Sequence, residues 1–348
     1  MACAAAVRAR TGELATTEQL KESWLNNDPL EIGDPTLARV ELNCRASYFP
    51  LGFPLLLTSN EEEVLEYARE SWGSFAKKFE RKAITMKVTV SEGTSDTCPP
   101  APVCRMRDHL IMSIADAENF SVVDLERRTV FVFVTRSTLR EREYFRYFFL
   151  ESGAMAVVAQ RHATGIHAAC ISWNGAGVLL CGDSGAGKTT LAYAAARAGW
   201  TYVTDDGSFL LLGRGDALVS GSCTLARFRP DAGKFFEELW GRSPMMRSSA
   251  GKPSVELPVP RASICTSQTA QVKHVVFLKR GAPEQELAAF PREVARLYFA
   301  QRILCMPFKE QSHLVNVDRL LKDGALELRY HNLDWAVERL RRLVEEGC

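Results

Sequence analysis

The chain has 348 residues, with 43 lysines plus arginines against 42 aspartates plus glutamates and a formal charge of +1. Hydrophobic residues make up 46% of it, which excludes a disordered chain, since disorder requires low hydrophobicity and high net charge. The even balance gives no general pull toward nucleic acid or an acidic membrane surface, so function must sit in a local site.

No apolar run approaches the roughly 18–20 residues of a membrane span. The opening MACAAAVRARTG holds too short an apolar stretch for a signal peptide, and a cytoplasmic location is expected. The length suits two domains after an extension: residues 1–28 as a polar N-terminal extension with a short helix around Thr17 to Trp24, 29–160 as an α+β domain, and 161–348 as an α/β domain. Within the α+β domain, strands are expected from Ala38 to Leu57, interrupted at Pro50 and Pro54. Ser59 with Glu62 makes a capping-box pattern that predicts a helix over 60–75. Ile84, Met86, Val88 and Val90 alternate with polar residues, the period of a half-buried strand. Thr94 to Pro102 reads as a loop, His109 to Ile114, Phe120 to Leu125 and Thr129 to Thr135 as strands, and Leu139 to about Gln160 as one long helix. Arg136, Arg140, Arg142 and Arg146 are interleaved with Glu141 and Glu143, which reads as a solvated helix face rather than a site for a polyanion.

From residue 161 onward, Ile166 to Trp173 and Gly177 to Cys181 flank Asn174-Gly175, the strongest short-range signal for a β-hairpin. A glycine-rich loop follows, then a helix from Lys188 to Ala198 stopped by Gly199, then a strand from Trp200 to Thr204 that ends in Asp205-Asp206. Phe209 to Leu212 and Val275 to Leu278 read as strands, Pro291 to Gln301 as a helix, and Leu333 to Glu346 as an amphipathic helix closed by Gly347. The ten cysteines show no zinc spacing and read as reduced thiols.

Gly182, Asp183, Ser184, Gly185, Ala186, Gly187, Lys188 and Thr189 match the Walker A phosphate-binding loop G-x-x-x-x-G-K-[ST] in full. Glycines let successive backbone N–H groups converge on phosphate oxygens, the following helix adds its positive end, and the lysine reaches the terminal phosphates. The Thr189 hydroxyl suits magnesium. Asp205 and Asp206 end the next strand, which can pair beside the loop's own strand. One carboxylate could then hold magnesium and the other accept a proton from an attacking hydroxyl, although an aspartate pair at a strand end also reads as a turn or helix cap. His167, in a strand of small apolar residues, reads by itself more often as a satisfied core residue than as a titrating group near the loop. Arg227 and Arg229, flanking Phe228, are candidate phosphate or acceptor contacts, with Lys252 behind them.

From His167 to Asp206 the sequence resembles the catalytic core of the HPr kinase/phosphorylases, which phosphorylate a serine of a sugar-transport phosphocarrier protein. The resemblance implies a P-loop kinase domain of the HPr-kinase type, preceded here by an α+β domain unlike that family's own. It implies nucleotide (ATP) and Mg²⁺ as cofactors, and a protein or peptide acceptor bearing a serine. It assigns Asp205 as general base, His167 as its tuning partner, Lys188 as the phosphate-neutralising cation, and Thr189 with Asp206 as metal ligands. A homo-oligomer is compatible with it. The family's serine and glutamate after the lysine are Thr189-Thr190 here, which keeps the metal hydroxyl and loses a carboxylate, and the family's glycine-rich signature segment is missing. The expected function is phosphate transfer from a nucleotide to a hydroxyl, with a nucleotide-binding sensor of reduced kinase activity as the alternative.

Overall fold

The computed structural model describes residues 14–27, 40–244, 253–303 and 309–347. Helix α1 (Thr17–Leu25) is closed by a reciprocal Thr16/Gln19 capping box and buries no residue. Strands β1 (Cys44–Tyr48) and β2 (Leu55–Ser59), helix α2 (Glu62–Trp72), and strands β3 (Ile84–Ser91), β4 (Val103–Arg107), β5 (Leu110–Ile114), β6 (Phe120–Asp124) and β7 (Thr129–Thr135) build the first sheet. Its order is β1-β2-β3-β7-β6-β5-β4. The pairs β2/β3 and β3/β7 are parallel and the rest antiparallel. Met86, Val88, Val130 and Val132 face one side of this sheet and are fully buried.

Several local expectations differ from the structure. Ser59 ends β2 and its hydroxyl accepts the Glu61 N–H at 3.2 Å, so no capping box forms and α2 starts without a side-chain cap. The expected single helix is interrupted: α3 (Arg136–Arg140) and α4 (Arg142–Phe145) meet at Glu141, whose ψ of 70° is not helical. A π-type turn over Arg146–Glu151 then leads into α5 (Ser152–Arg161). The arginines of this segment are not simply solvated. Arg136 pairs with Glu61 and Glu92, Arg142 with Glu70, and Arg146 with Glu70, Glu143 and Glu151. Strand β4 was not anticipated because it is an exposed edge without an alternating pattern.

The second sheet contains β8 (Ala163–His167), β9 (Ala169–Trp173), β10 (Ala176–Cys181), then after helix α6 (Lys188–Arg197) β11 (Thr201–Thr204), β12 (Gly207–Leu211) and β13 (Leu218–Gly221). A separate ribbon pairs β14 (Leu225–Phe228) with β15 (Val255–Pro258). The long β16 (Thr269–Arg280), then β17 (Glu286–Phe290), helices α7 (Arg292–Ala300) and α8 (Glu310–Leu320), β18 (Ala325–Tyr330) and α9 (Leu333–Glu346) complete the chain. The β9–β10 hairpin turns on Asn174 (φ 49°) and Gly175 (φ 84°), two left-handed residues in succession, as the twist of a tight hairpin demands.

The sheet order β11-β9-β10-β16-β13-β12-β8 decides where the site lies. The expected strand from Ile166 to Trp173 divides at Ala168, and its halves β8 and β9 have four strands between them in the pairing order. Strands β11 and β12 are equally far separated, yet only Asp205-Asp206 joins them. The sheet is therefore coiled back on itself, and the chain crosses its seam twice, at Ala168 and at the aspartate pair. Strand β11 pairs with β9, not with the loop strand β10 as expected, because the hairpin places β9 on one side of β10 and the parallel β16 takes the other.

Helices α6 and α9 pack one face of this sheet in a cluster that includes Trp200, Tyr193 and Leu340, while α7 and α8 cover the other around Val317 and Phe299. Each large apolar side chain fully buried this way contributes roughly 1.5–3 kcal/mol. The first sheet's core runs on into Ala163 and Leu211 of the second. Across this junction Phe53 stacks on His162 at 5.0 Å, the Ser220 hydroxyl donates to the Leu51 carbonyl at 2.8 Å, and the Gln268 amide donates to the Ala76 carbonyl at 3.3 Å. The mixed sheets with parallel central pairs fit an α/β nucleotide-binding fold. Among the described residues, no helix is long and apolar enough to cross a membrane.

Candidate active site

Strand β10 ends at Cys181 and releases the chain into the glycine loop, which turns directly into α6. Gly187 precedes the helix with φ 95°, and a Cβ there would lie 2.7 Å from the Tyr330 hydroxyl, so both the backbone and the space require glycine. Gly182 has φ 142°, and a Cβ on it would press on Ala186 at 2.9 Å. The Ala186 N–H donates to the Asp183 carbonyl at 3.1 Å, which tightens the turn. Lys188 is only 7% exposed. Its ammonium donates to the Gly182 carbonyl at 2.8 Å and the Asp183 carbonyl at 3.3 Å, so it lies folded along the loop it would serve. Burial pulls its pKa down, against the raising influence of Asp206, Cys181 and Asp183.

The two aspartates at the seam have unlike surroundings. Asp205 is 5% exposed, accepts the Thr189 hydroxyl at 3.3 Å and accepts the Arg227 backbone N–H at 2.8 Å. Burial, helped by the negative charge of Asp206, pushes its carboxyl up to about 6. Asp206 is exposed, and its Oδ1 lies 3.0 Å from His167 Nδ1. Burial acts to raise this carboxyl too, but the His167 hydrogen bond and the charges of His167, Arg227 and Lys188 outweigh it and hold the group below the usual range. His167 reaches Asp206 because β8 pairs with β12 in a register that sets His167 opposite Gly207.

His167, Asp206, Thr189, Thr190 and Lys188 line a cavity of about 810 Å³ together with Arg227, Arg229 and Arg280. That volume is of the size that holds a small ligand such as a nucleotide. Arg229 donates to the Ser184 hydroxyl at 2.7 Å, and Arg227 is paired with Glu256 at 3.1 Å. Lys252 lies outside the described residues. Among the described residues no three His, Cys, Asp or Glu side chains gather as a metal cluster. Magnesium needs no such cluster, since it binds through one or two carboxylates plus phosphate oxygens and water. The Thr189 hydroxyl and the buried, imperfectly compensated Asp205 carboxylate are the hard oxygen pair that fits it.

Sequence reasoning missed a second set of residues around the loop. The Tyr298 hydroxyl donates to the Gly182 carbonyl at 2.8 Å and accepts the Gly182 N–H at 3.1 Å. The Arg302 guanidinium stacks on the Tyr298 ring at 3.8 Å and pairs with Asp183 at 2.7 Å. These residues come from α7 and the turn after it, far along the chain, and no local pattern marks them.

No family model matches the chain, and no curated protein matches it. Among solved structures it is similar to the HPr(Ser) kinase/phosphatase from Coxiella burnetii, at 14% identity over 53% of this chain and 99% of that one, with a TM-score of 0.27. The likeness is loose, and the site has to be judged by its own geometry.

Proposed function

We propose that the protein is a magnesium-dependent phosphotransferase that moves the terminal phosphate of a nucleotide onto a hydroxyl, a serine of a protein or peptide. The observation that carries this reading is the division between the two seam carboxylates beside a complete phosphate loop: Asp205 is buried against Thr189, and Asp206 faces the cavity beside His167. The reading exchanges the roles expected from sequence. Thr189 and Asp205 would hold magnesium, which when bound would neutralise charge on the phosphates. Asp206, oriented by His167, accepts the proton of the acceptor hydroxyl. The acceptor oxygen bonds to phosphorus as the bond to the leaving diphosphate breaks, while the loop N–H groups and Lys188 hold the charge that develops on the transferred group.

The test is transfer of label from γ-labelled ATP and magnesium to serine-bearing proteins. Asp206→Asn is expected to lower transfer by about 10²–10⁴-fold with nucleotide affinity kept, and Asp205→Asn to raise the magnesium concentration needed for nucleotide binding. Normal transfer by Asp206→Asn would overturn the assignment of the base. Tight nucleotide binding with no labelled acceptor from the unaltered protein would overturn the enzyme reading.

A further inference from the structure

We infer that Arg280 with Phe235 forms the surface on which the base of the donor nucleotide stacks. This rests on the phosphate-transfer reading and deepens it by naming the residues that would hold the base. Strand β16 lies parallel to β10 on the side away from β9 and ends at Arg280. In open α/β sheets ligands bind across the carboxyl ends of the strands, so Arg280 and the loop share one binding edge. The Arg280 Cδ lies 3.4 Å from where a Cβ on Gly187 would stand, at the N-terminus of α6. Its guanidinium lies over the Phe235 ring at 5.0 Å, and both side chains line the cavity with Pro230 and Pro253.

The other cations there are engaged: Lys188 with loop carbonyls, Arg227 with Glu256, and Arg229 with Ser184. Arg280, exposed to the cavity, has neither a carboxylate nor a hydrogen-bond partner among the described residues. A planar guanidinium backed by an aromatic ring and flanked by prolines is a surface for a second π system. The seam carboxylates lie on the β9 side of the loop and Arg280 on the β16 side. A triphosphate laid along the loop therefore has its terminal phosphate at Asp206 and its base at Arg280.

Calorimetric titration of the full chain with Mg·ATP and with Mg·tripolyphosphate tests this. The unaltered protein is expected to bind ATP roughly five- to a hundred-fold more tightly than tripolyphosphate, the range of one stacked base. Arg280→Ala should remove most of that difference by weakening ATP alone, and Arg280→Lys, which keeps the charge without the plane, should also weaken ATP and leave tripolyphosphate unchanged. Equal loss for both ligands would make Arg280 a phosphate contact and overturn the proposal, as would no loss for either. If the unaltered protein binds tripolyphosphate as tightly as ATP, the base site falls while the phosphate loop stands. If it binds neither, the phosphate-transfer reading falls with it.

Discussion

His167 Nδ1 stands 3.0 Å from Asp206 Oδ1, because His167 ends β8 and Asp206 immediately precedes β12, its antiparallel neighbour in the second sheet. In the proposed reaction His167 orients the accepting carboxylate and does not touch the phosphate. His167→Ala should therefore lower kcat by up to about 100-fold, the cost of a misplaced catalytic group. Nucleotide affinity, measured by titration, should stay unchanged. A variant that loses nucleotide binding would place His167 among the binding groups instead.

Gly187 and Tyr330 form a steric pair. Gly187→Ala is expected to cost about 1–2 kcal/mol from its left-handed backbone, with a further cost from the hydroxyl that stands 2.7 Å from the new Cβ. The Tyr330 hydroxyl is buried and has no hydrogen-bond partner among the described residues. Tyr330→Phe alone should thus leave stability unchanged or raise it, and in combination it should recover part of the Gly187→Ala loss. Thermal melts of the four proteins of this double-mutant cycle measure the coupling.

Tyr298 holds the first glycine of the loop by both its backbone groups. Tyr298→Phe removes two hydrogen bonds, each worth about 0.5–1.5 kcal/mol net, while retaining the ring that Arg302 stacks upon. The loop should loosen, so nucleotide affinity is expected to fall by roughly five- to fifty-fold, with the melting temperature lowered by a few degrees. Titration against the unaltered protein reads this directly.

His162 makes the junction between the two sheets sensitive to acid. It stacks on Phe53, its Nε2 is buried without a hydrogen-bond partner among the described residues, and burial followed by the charges of Arg81, Arg128 and Arg161 lowers its pKa to about 4. The unfolded chain takes up the proton near the ordinary value of 6.5, while the folded one resists until about 4. Stability from this group is complete above 6.5 and is lost as pH falls toward about 4, below which the loss levels off. Melting temperatures across this window should fall more steeply for the unaltered protein than for His162→Phe.

Much of the local architecture was legible in sequence. The Asn174-Gly175 hairpin, the alternating Ile84 to Val90 strand, the helix from Lys188 and the terminal helix all follow from turn chemistry and periodicity within a few residues. The interruption of the expected helix at Glu141 was not, because Arg136 and Arg142 pair with Glu61 and Glu70, outside any local window, and the Ser59 cap did not form because the hydroxyl accepts the Glu61 N–H instead. The phosphate loop was legible as a candidate because a short contiguous stretch must supply all its backbone N–H groups.

By itself the sequence determined a Walker A pattern on a strand–loop–helix unit, with two adjacent carboxylates following at a strand end. Tertiary structure decided what distinguishes those carboxylates. The bend between β11 and β12 buries Asp205 against Thr189 and the Arg227 amide and presents Asp206 to His167 and the cavity. Tyr298, Arg302, Arg280 and Phe235 reach the loop the same way, through pairing and packing between segments distant in the chain. A carboxylate's pKa and partners depend on what surrounds it in space, and local sequence specifies only its neighbours along the chain.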